Sequence, residues 1–248
     1  MDVVGLIAAL DLPDGAHVDQ RVPKKLLHEN GAPTAADKRY INDGVEELHW
    51  VAALKPTTIG VPEYRNDARE YLEIAVLQIT LRTGAKAGRL VELVHRAVPY
   101  PVLLFAEHGE HPGLSAAHKR WSQGEAGKTV IDGEVVAVEW DATHGAAFRD
   151  ALALGRQPRT TLYALYQGWI DTLLAMQAAQ VTGTFATPAT LEHAATRREA
   201  LQDYARLEAE ITRLRVVAEK EKQLSRQVEL NLELKRVQAL QATARAKL

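Results

Sequence analysis

Apolar positions along this chain change period several times, and each change marks an element. After Thr34, Ile41, Val45, Leu48 and Ala52 fall three or four residues apart, predicting a helix that Thr34 caps and that ends before Pro56. Over residues 71–81 the run becomes β-branched and partly alternating, as expected of a strand near the middle of a sheet. Gly84 breaks that strand. Gly88 precedes a helix carrying Leu90, Val91, Leu93 and Val94, Pro99 closes it, and residues 102–105 read as the next strand. A strand-helix-strand unit of this length predicts a right-handed parallel crossover. Residues 107–113 read as a loop and 114–121 as an antiparallel strand. Residues 129–140 read as one or two strands with Asp132-Gly133 as a bulge or turn. Residues 3–10 form a short helix or strand ahead of a turn at Pro13-Asp14-Gly15.

Helical spacing then takes over. Thr160-Thr161 caps a helix through Leu162, Leu165, Tyr166, Trp169, Leu173 and Met176, whose spacing is that of one buried face. From Pro188 onward there is no glycine or further proline, which predicts a single helix on the order of 85 Å long. Its seam runs through Tyr204, Leu207, Ile211, Leu214 and Ala218. The register fails at Glu221 and Ser225 and restarts at Leu224, Val228, Leu230, Leu234 and Val237, a stutter or a bend. Residues 219–223 contain no turn residue, so a tight reversal is not expected there. The seam predicts either a helix folded back on its own domain or pairing between chains. Its candidate partner-binding residues are Tyr204, Leu207, Ile211, Leu214, Leu224, Val228 and Asn231. The fold class is therefore α/β or α+β: a mixed sheet of four to five strands with flanking helices over residues 1–145, a helical connector over 146–187, and a long coiled-coil-like helix over 188–248.

Charge sharpens the division. Residues 197–248 hold 12 Lys/Arg against 8 Asp/Glu, while the rest holds 18 against 24, so a basic tail follows an acidic head. That balance favours an acidic partner or nucleic acid, or describes a solvated helix with mixed charge. The chain has no cysteine, which excludes disulfides, thiol catalysis and cysteine zinc sites. With no basic leader and no long apolar run, a cytoplasmic protein is expected.

Candidate chemistry is sparse. Gly127-Lys128-Thr129 resembles the end of a phosphate-binding loop, but Ser122 stands where its first glycine is required and a strand follows instead of a helix. Glu107-His108-Gly109-Glu110-His111 is the densest histidine-carboxylate cluster, yet its histidines lie three apart in a loop, so no metal is assigned. A nuclease-like strand would need an acidic residue and a lysine flanking one position, and Glu73 followed by Gln78 does not supply them. No catalytic set and no cofactor are assigned. His95 with Pro99-Tyr100-Pro101 forms a stiff bend, inviting a cis bond, that aims Tyr100 and the helix end at one spot. Lys24-Lys25, and Lys119-Arg120 beside Trp121, are candidate nucleic-acid contacts or solvated side chains that snorkel.

Several pieces together resemble a bacterial family, domain of unknown function 4391. They are Val22-Pro23-Lys24-Lys25, the stretch 93–102 around Pro99-Tyr100-Pro101, Lys119-Arg120, Leu162-Tyr163-Ala164-Leu165-Tyr166, and the tail segment from Glu221 to Asn231. Similar proteins tend to be encoded beside type III DNA methyltransferases and helicase-like ATPases in anti-phage defence clusters. The resemblance implies an accessory or adaptor subunit docking such a methyltransferase or helicase, with self-association through the tail as a further expectation. A metal-dependent nuclease or hydrolase and a sequence-independent DNA-binding protein are the rival readings.

Overall fold

Asp2 opens the first helix, α1 (Val3–Ala8), by accepting a hydrogen bond from the Gly5 N–H at 2.9 Å. The computed structural model describes residues 2–109, 111–140 and 142–248. A 3₁₀ turn leads to β1 (His17–Arg21), and α2 (Lys24–Asn30) follows directly on Pro23. Thr34 caps α3 (Ala35–Gly44) as expected, accepting from the Asp37 N–H at 3.1 Å. The helix then stops short of its predicted end. Residues 45–54 are a strand, β2 (Val45–Leu54). Its apolar residues matched a helical stripe by coincidence. They are buried because β2 lies between two other strands, a demand that spacing alone does not reveal. Gly44 marks the corner, since a Cβ there would lie 2.7 Å from Leu90 Cδ1.

The short α4 (Pro56–Ile59) and a two-strand hairpin, β3 (Tyr64–Arg65) with β4 (Glu70–Tyr71), lead into β5 (Ile74–Leu81). Next come α5 (Ala87–Ala97), β6 (Val102–His108), β7 (His111–Trp121) and β8 (Thr129–Glu139). Among the described residues the main sheet has six strands in the order β1-β2-β5-β6-β7-β8. All neighbours are antiparallel except β5 and β6, which are joined in parallel through α5, as the sequence predicted. The predicted loop at 107–113 is instead the end of a tight β6–β7 hairpin, with Gly109 at φ +65° supplying the left-handed residue the turn needs. In β8 the register shifts near Gly133, at φ +83°, which is the predicted bulge.

Alternation along β7 sets the two faces of the sheet. Ser115 and Lys119 reach α5, while His118 between them reaches the opposite layer. That layer includes α6 (Gly145–Leu152) and α7 (Leu162–Thr182). Tyr166 of α7 hydrogen-bonds Val102 O at 2.7 Å, and Trp169 Nε1 donates to Leu152 O at 2.8 Å. The chain divides into two compact units, Met1–Leu173 and Leu174–Leu248, with the boundary inside α7. The aromatic stripe of the predicted connector thus belongs to the unit that holds the sheet.

The second unit replaces the single long helix with two. α8 (Leu191–Lys220) and α9 (Leu224–Arg245) form a hairpin, capped at its start by Thr190. The chain reverses without glycine or proline because Glu221 and Gln223 both take extended conformations, and the Glu221 carboxylate accepts the Gln223 N–H at 2.8 Å. Leu207, Ile211, Leu214 and Ala218 pack against Leu230, Val237 and Ala244, with Tyr204 and Leu234 alongside. The restart of the seam is therefore the returning helix of a self-paired hairpin. Replacing the fully buried Ile211 by valine is expected to cost about 1 kcal/mol, measured as an earlier loss of helical signal on thermal or urea unfolding.

Candidate functional site

A buried lysine organises the end of α5. The last carbonyls of a helix have no partner of their own and carry partial negative charge. Here Lys119 Nζ donates to His95 O and, at 2.9 Å, to Val98 O. Its side chain comes from β7 beneath and is only 2 % exposed. Burial pushes the ammonium pKa down to about 8. The two carbonyls and the negative end of α5 act the other way, and the group stays charged at neutral pH.

The bend beyond α5 is fixed at three points. Lys119 holds Val98, the Thr129 hydroxyl donates to Pro99 O at 2.9 Å, and the Ala75 N–H donates to Pro101 O at 2.9 Å. No peptide bond among the described residues is cis, so the prolines stiffen the bend with trans geometry. Tyr100 stands at its tip, 42 % exposed. Beside it lies a cavity of about 580 Å³, lined by Val22, Leu26 and Asn30 together with Trp50, Tyr100 and Lys128. Three stretches far apart in the sequence meet here: the segment around Val22-Pro23, the Pro99-Tyr100-Pro101 bend, and Gly127-Lys128-Thr129.

The four cations expected to touch nucleic acid do not form a surface patch. Lys119 is buried. Lys24 Nζ donates to Val45 O, and burial together with Arg82 and Arg21 lowers its pKa. Lys25 is exposed and pairs with Glu29 at 3.6 Å, while Arg120 sits 3.4 Å from Asp132, which also binds Arg69 at 2.9 Å. Three of the four thus donate to backbone carbonyls, Arg120 reaching Trp121 O at 3.1 Å, and for Lys24 and Lys119 the acceptors lie more than twenty residues away in sequence. Two of the three carboxylates of the hydrolase reading lie far apart. Glu73, before β5, is paired with Lys55 at 2.9 Å, whereas Glu107 lies opposite Thr80 near the other end of that strand, about 20 Å away at the strand rise. Glu110 lies outside the described residues, as does the side chain of His111. Among the described residues no group of three His, Asp or Glu side chains is placed to hold a metal ion.

Sequence reasoning missed a second network, on the opposite face of β7. Tyr71 OH meets His118 Nδ1 at 2.5 Å, His118 Nε2 meets Gln167 Oε1 at 2.8 Å, and Gln167 Nε2 donates to Asp171 at 2.8 Å. Because the Gln167 oxygen can only accept, His118 carries its proton on Nε2 and accepts from Tyr71 at Nδ1. The Tyr163 ring is stacked against both Tyr64 and His118, with the Arg69 guanidinium 5.3 Å from its centroid. These groups tie the β3–β4 hairpin and α7 to the sheet. The tyrosines of the stretch 162–166 were a visible signal, but their partners lie some 45 to 100 residues upstream.

Of the tail candidates, Leu207, Ile211 and Leu214 are buried in the hairpin and Tyr204 lies against it, whereas Leu224, Val228 and Asn231 remain exposed on α9. No helix among the described residues is long and apolar enough to cross a membrane.

The fold and these surfaces define a mixed α/β protein extended by a helical hairpin. The chain belongs to the family described as domain of unknown function (DUF4391), whose model matches residues 10–240. No curated protein and no solved structure matches it.

Proposed function

We propose that the protein is a non-catalytic accessory or adaptor subunit of a bacterial DNA-modification or anti-phage defence system, and that its tail docks a methyltransferase or helicase-like ATPase. One observation carries this reading. Leu224, Val228 and Leu232 are 75 %, 52 % and 62 % exposed, and they fall four residues apart on the face of α9 that the hairpin seam does not use. A spacing of i, i+4, i+8 is that of anchors by which one helix enters a partner's groove. Leu224 and Val228 lie in the segment from Glu221 to Asn231 that carries much of the family resemblance. The hairpin seam takes up Tyr204, Leu207, Ile211 and Leu214, so the docking surface contracts to α9, where Leu224, Val228 and Asn231 stay exposed.

The double substitution Leu224→Glu, Val228→Glu should leave helicity and melting temperature nearly unchanged, since neither side chain is buried. It should reduce co-purification with a co-expressed methyltransferase or helicase from the same gene cluster at least tenfold. Undiminished recovery of that partner with the doubly substituted protein would reject the assignment of the surface.

A further inference from the structure

Three hydrogen bonds, one of them from a buried ammonium, hold the Pro99–Pro101 bend, yet they leave the ring at its tip in solvent. An exposed tyrosine gains little stability from being fixed so firmly, whereas a tyrosine that must meet a ligand gains affinity from being fixed beforehand. The cavity beside it is built to match. Its floor is apolar, Ala75 and Leu77 of β5, both almost wholly buried, and Val22, Leu26 and Trp50 complete its apolar lining. The Trp50 Nε1–H is already given to Ala52 O at 2.9 Å, so the indole offers a ligand its ring rather than its donor. At about 580 Å³ the cavity falls within the ordinary range for small-ligand sites.

The charges of the lining are largely balanced. Glu29 pairs with Lys25 at 3.6 Å, Arg96 with Glu92 at 2.6 Å, and Lys128 with Glu125. Attraction for a ligand therefore rests first on the rings. Arg96 and Lys128 keep N–H donors beyond those pairs, and exposed pairs of this kind are weak enough for a ligand's anion to share or replace one. Lys119 also counters the negative end of α5, which would otherwise repel an anion beside Arg96. Asn30 Nδ2 donates to Leu26 O at 3.2 Å, which leaves its second N–H and its oxygen as the donor and acceptor that fit the N6 and N7 edge of adenine. Two aromatic rings, an amide and a pair of cations suit a flat base that carries one anionic group. We propose that this cavity binds a nucleobase together with its phosphate, the base against Trp50 and Tyr100 and the phosphate at Arg96 and Lys128. The site uses no residue of the helical hairpin, so its test is separate from that of the α9 surface.

Calorimetric titration of the full chain with adenosine monophosphate should show saturable binding, about tenfold or more tighter than that of ribose 5-phosphate, which lacks the base. Tyr100→Ala should weaken it by about fivefold or more, the smaller end of the loss when a stacked base is deprived of its aromatic partner. Tyr100→Phe should retain it, and both variants should keep the wild-type melting temperature because the side chain is exposed. Lys128→Ala should weaken binding of the monophosphate and leave binding of adenosine unchanged. A labelled ten-nucleotide oligodeoxyadenylate, competed by adenosine monophosphate, separates two sources of the same chemistry. Binding about tenfold or more tighter than the monophosphate marks single-stranded nucleic acid as the ligand, and equal or weaker binding marks a free nucleotide. With two cations at most on phosphate, affinity for the strand should fall by less than about tenfold between about 50 and 200 mM salt. Absence of binding by both the monophosphate and the strand overturns the proposal, as does binding that Tyr100→Ala leaves intact.

Discussion

Replacing Lys119 by alanine is expected to destabilise the sheet unit by about 3–5 kcal/mol. Loss of a buried four-carbon stem costs as much as a large-to-small core substitution, about 2–5 kcal/mol, and two buried carbonyls lose their donor. Lys119→Met keeps the stem and isolates the ammonium. Its cost should be smaller, about 1–3 kcal/mol at pH 7, because relief from burying a charge offsets part of the loss of hydrogen bonds. The pH dependence separates these contributions. With a folded pKa of about 8 against an ordinary value of 10.5, the unfolded chain binds more protons between those values, so native stability rises with pH there. Between pH 8 and 9.5 the rise due to Lys119 is about 2 kcal/mol. Above pH 10, Tyr71 and Tyr166 act in the opposite direction, since burial holds their hydroxyls protonated beyond the usual range. Lys24 is lowered as well and adds to the rise in both proteins. Urea titrations of wild type and Lys119→Met should therefore diverge as pH increases, with wild type gaining more. Parallel curves would show that the ammonium is not confined as described. The substitution should also free the Pro99–Pro101 bend, since Lys119 is one of its three fixed points.

The middle of the fold was legible because its signals are local. β5, α5 and β6 each carry a period or a breaker of their own, and their parallel join follows from connection length. β2 was not legible. Val45, Leu48 and Ala52 fit a helix as well as a strand, and only the presence of β1 and β5 on either side decides between them. The reversal at 221–223 was hidden for a related reason: a side chain, Glu221, supplies what a turn residue would ordinarily supply. Where the seam broke its register the sequence marked the right place, though the cause was a turn. The candidate site divides in the same way. Pro99-Tyr100-Pro101 announces a stiff bend by its composition. That Lys119 holds it, and that Trp50 and Lys128 flank it, depends on strand order. A lysine next to an arginine and a tryptophan looks like a surface patch until alternation along β7 directs Lys119 inward and His118 to the other face.

Acidification should loosen the same corner well before the carboxylates are protonated. His95 is fully buried, and its Nε2 meets the Ser115 hydroxyl at 3.0 Å. That hydroxyl lies 3.5 Å from Leu104 O, so Nε2–H donates to Ser115 and Nδ1 is a buried acceptor without a hydrogen-bond partner. A proton added to Nδ1 would find no acceptor and would face the Lys119 ammonium. Burial, and then that charge, lower the imidazole pKa to about 3. The unfolded chain takes up this proton near pH 6.5, and the native protein does not until about pH 3. Stability is therefore complete above 6.5 and falls as pH drops through that interval, by about 3 kcal/mol at pH 4.5. Other ion pairs contribute later. Arg89 and Thr34 hold the Asp37 carboxyl at about 2, so its contribution is lost only below the ordinary carboxylate range, and Glu47, Glu92 and Glu210 are likewise lowered. The interval from pH 6.5 to 4.5 is thus where His95 separates from the carboxylates. His95→Gln keeps a donor for Ser115 and cannot charge. Chemical denaturation at pH 6.8 and pH 4.8 should show wild type losing about 2 kcal/mol more than this variant across the interval. Equal losses in the two proteins would mean that His95 takes up its proton without resistance, and that the end of α5 is open to water.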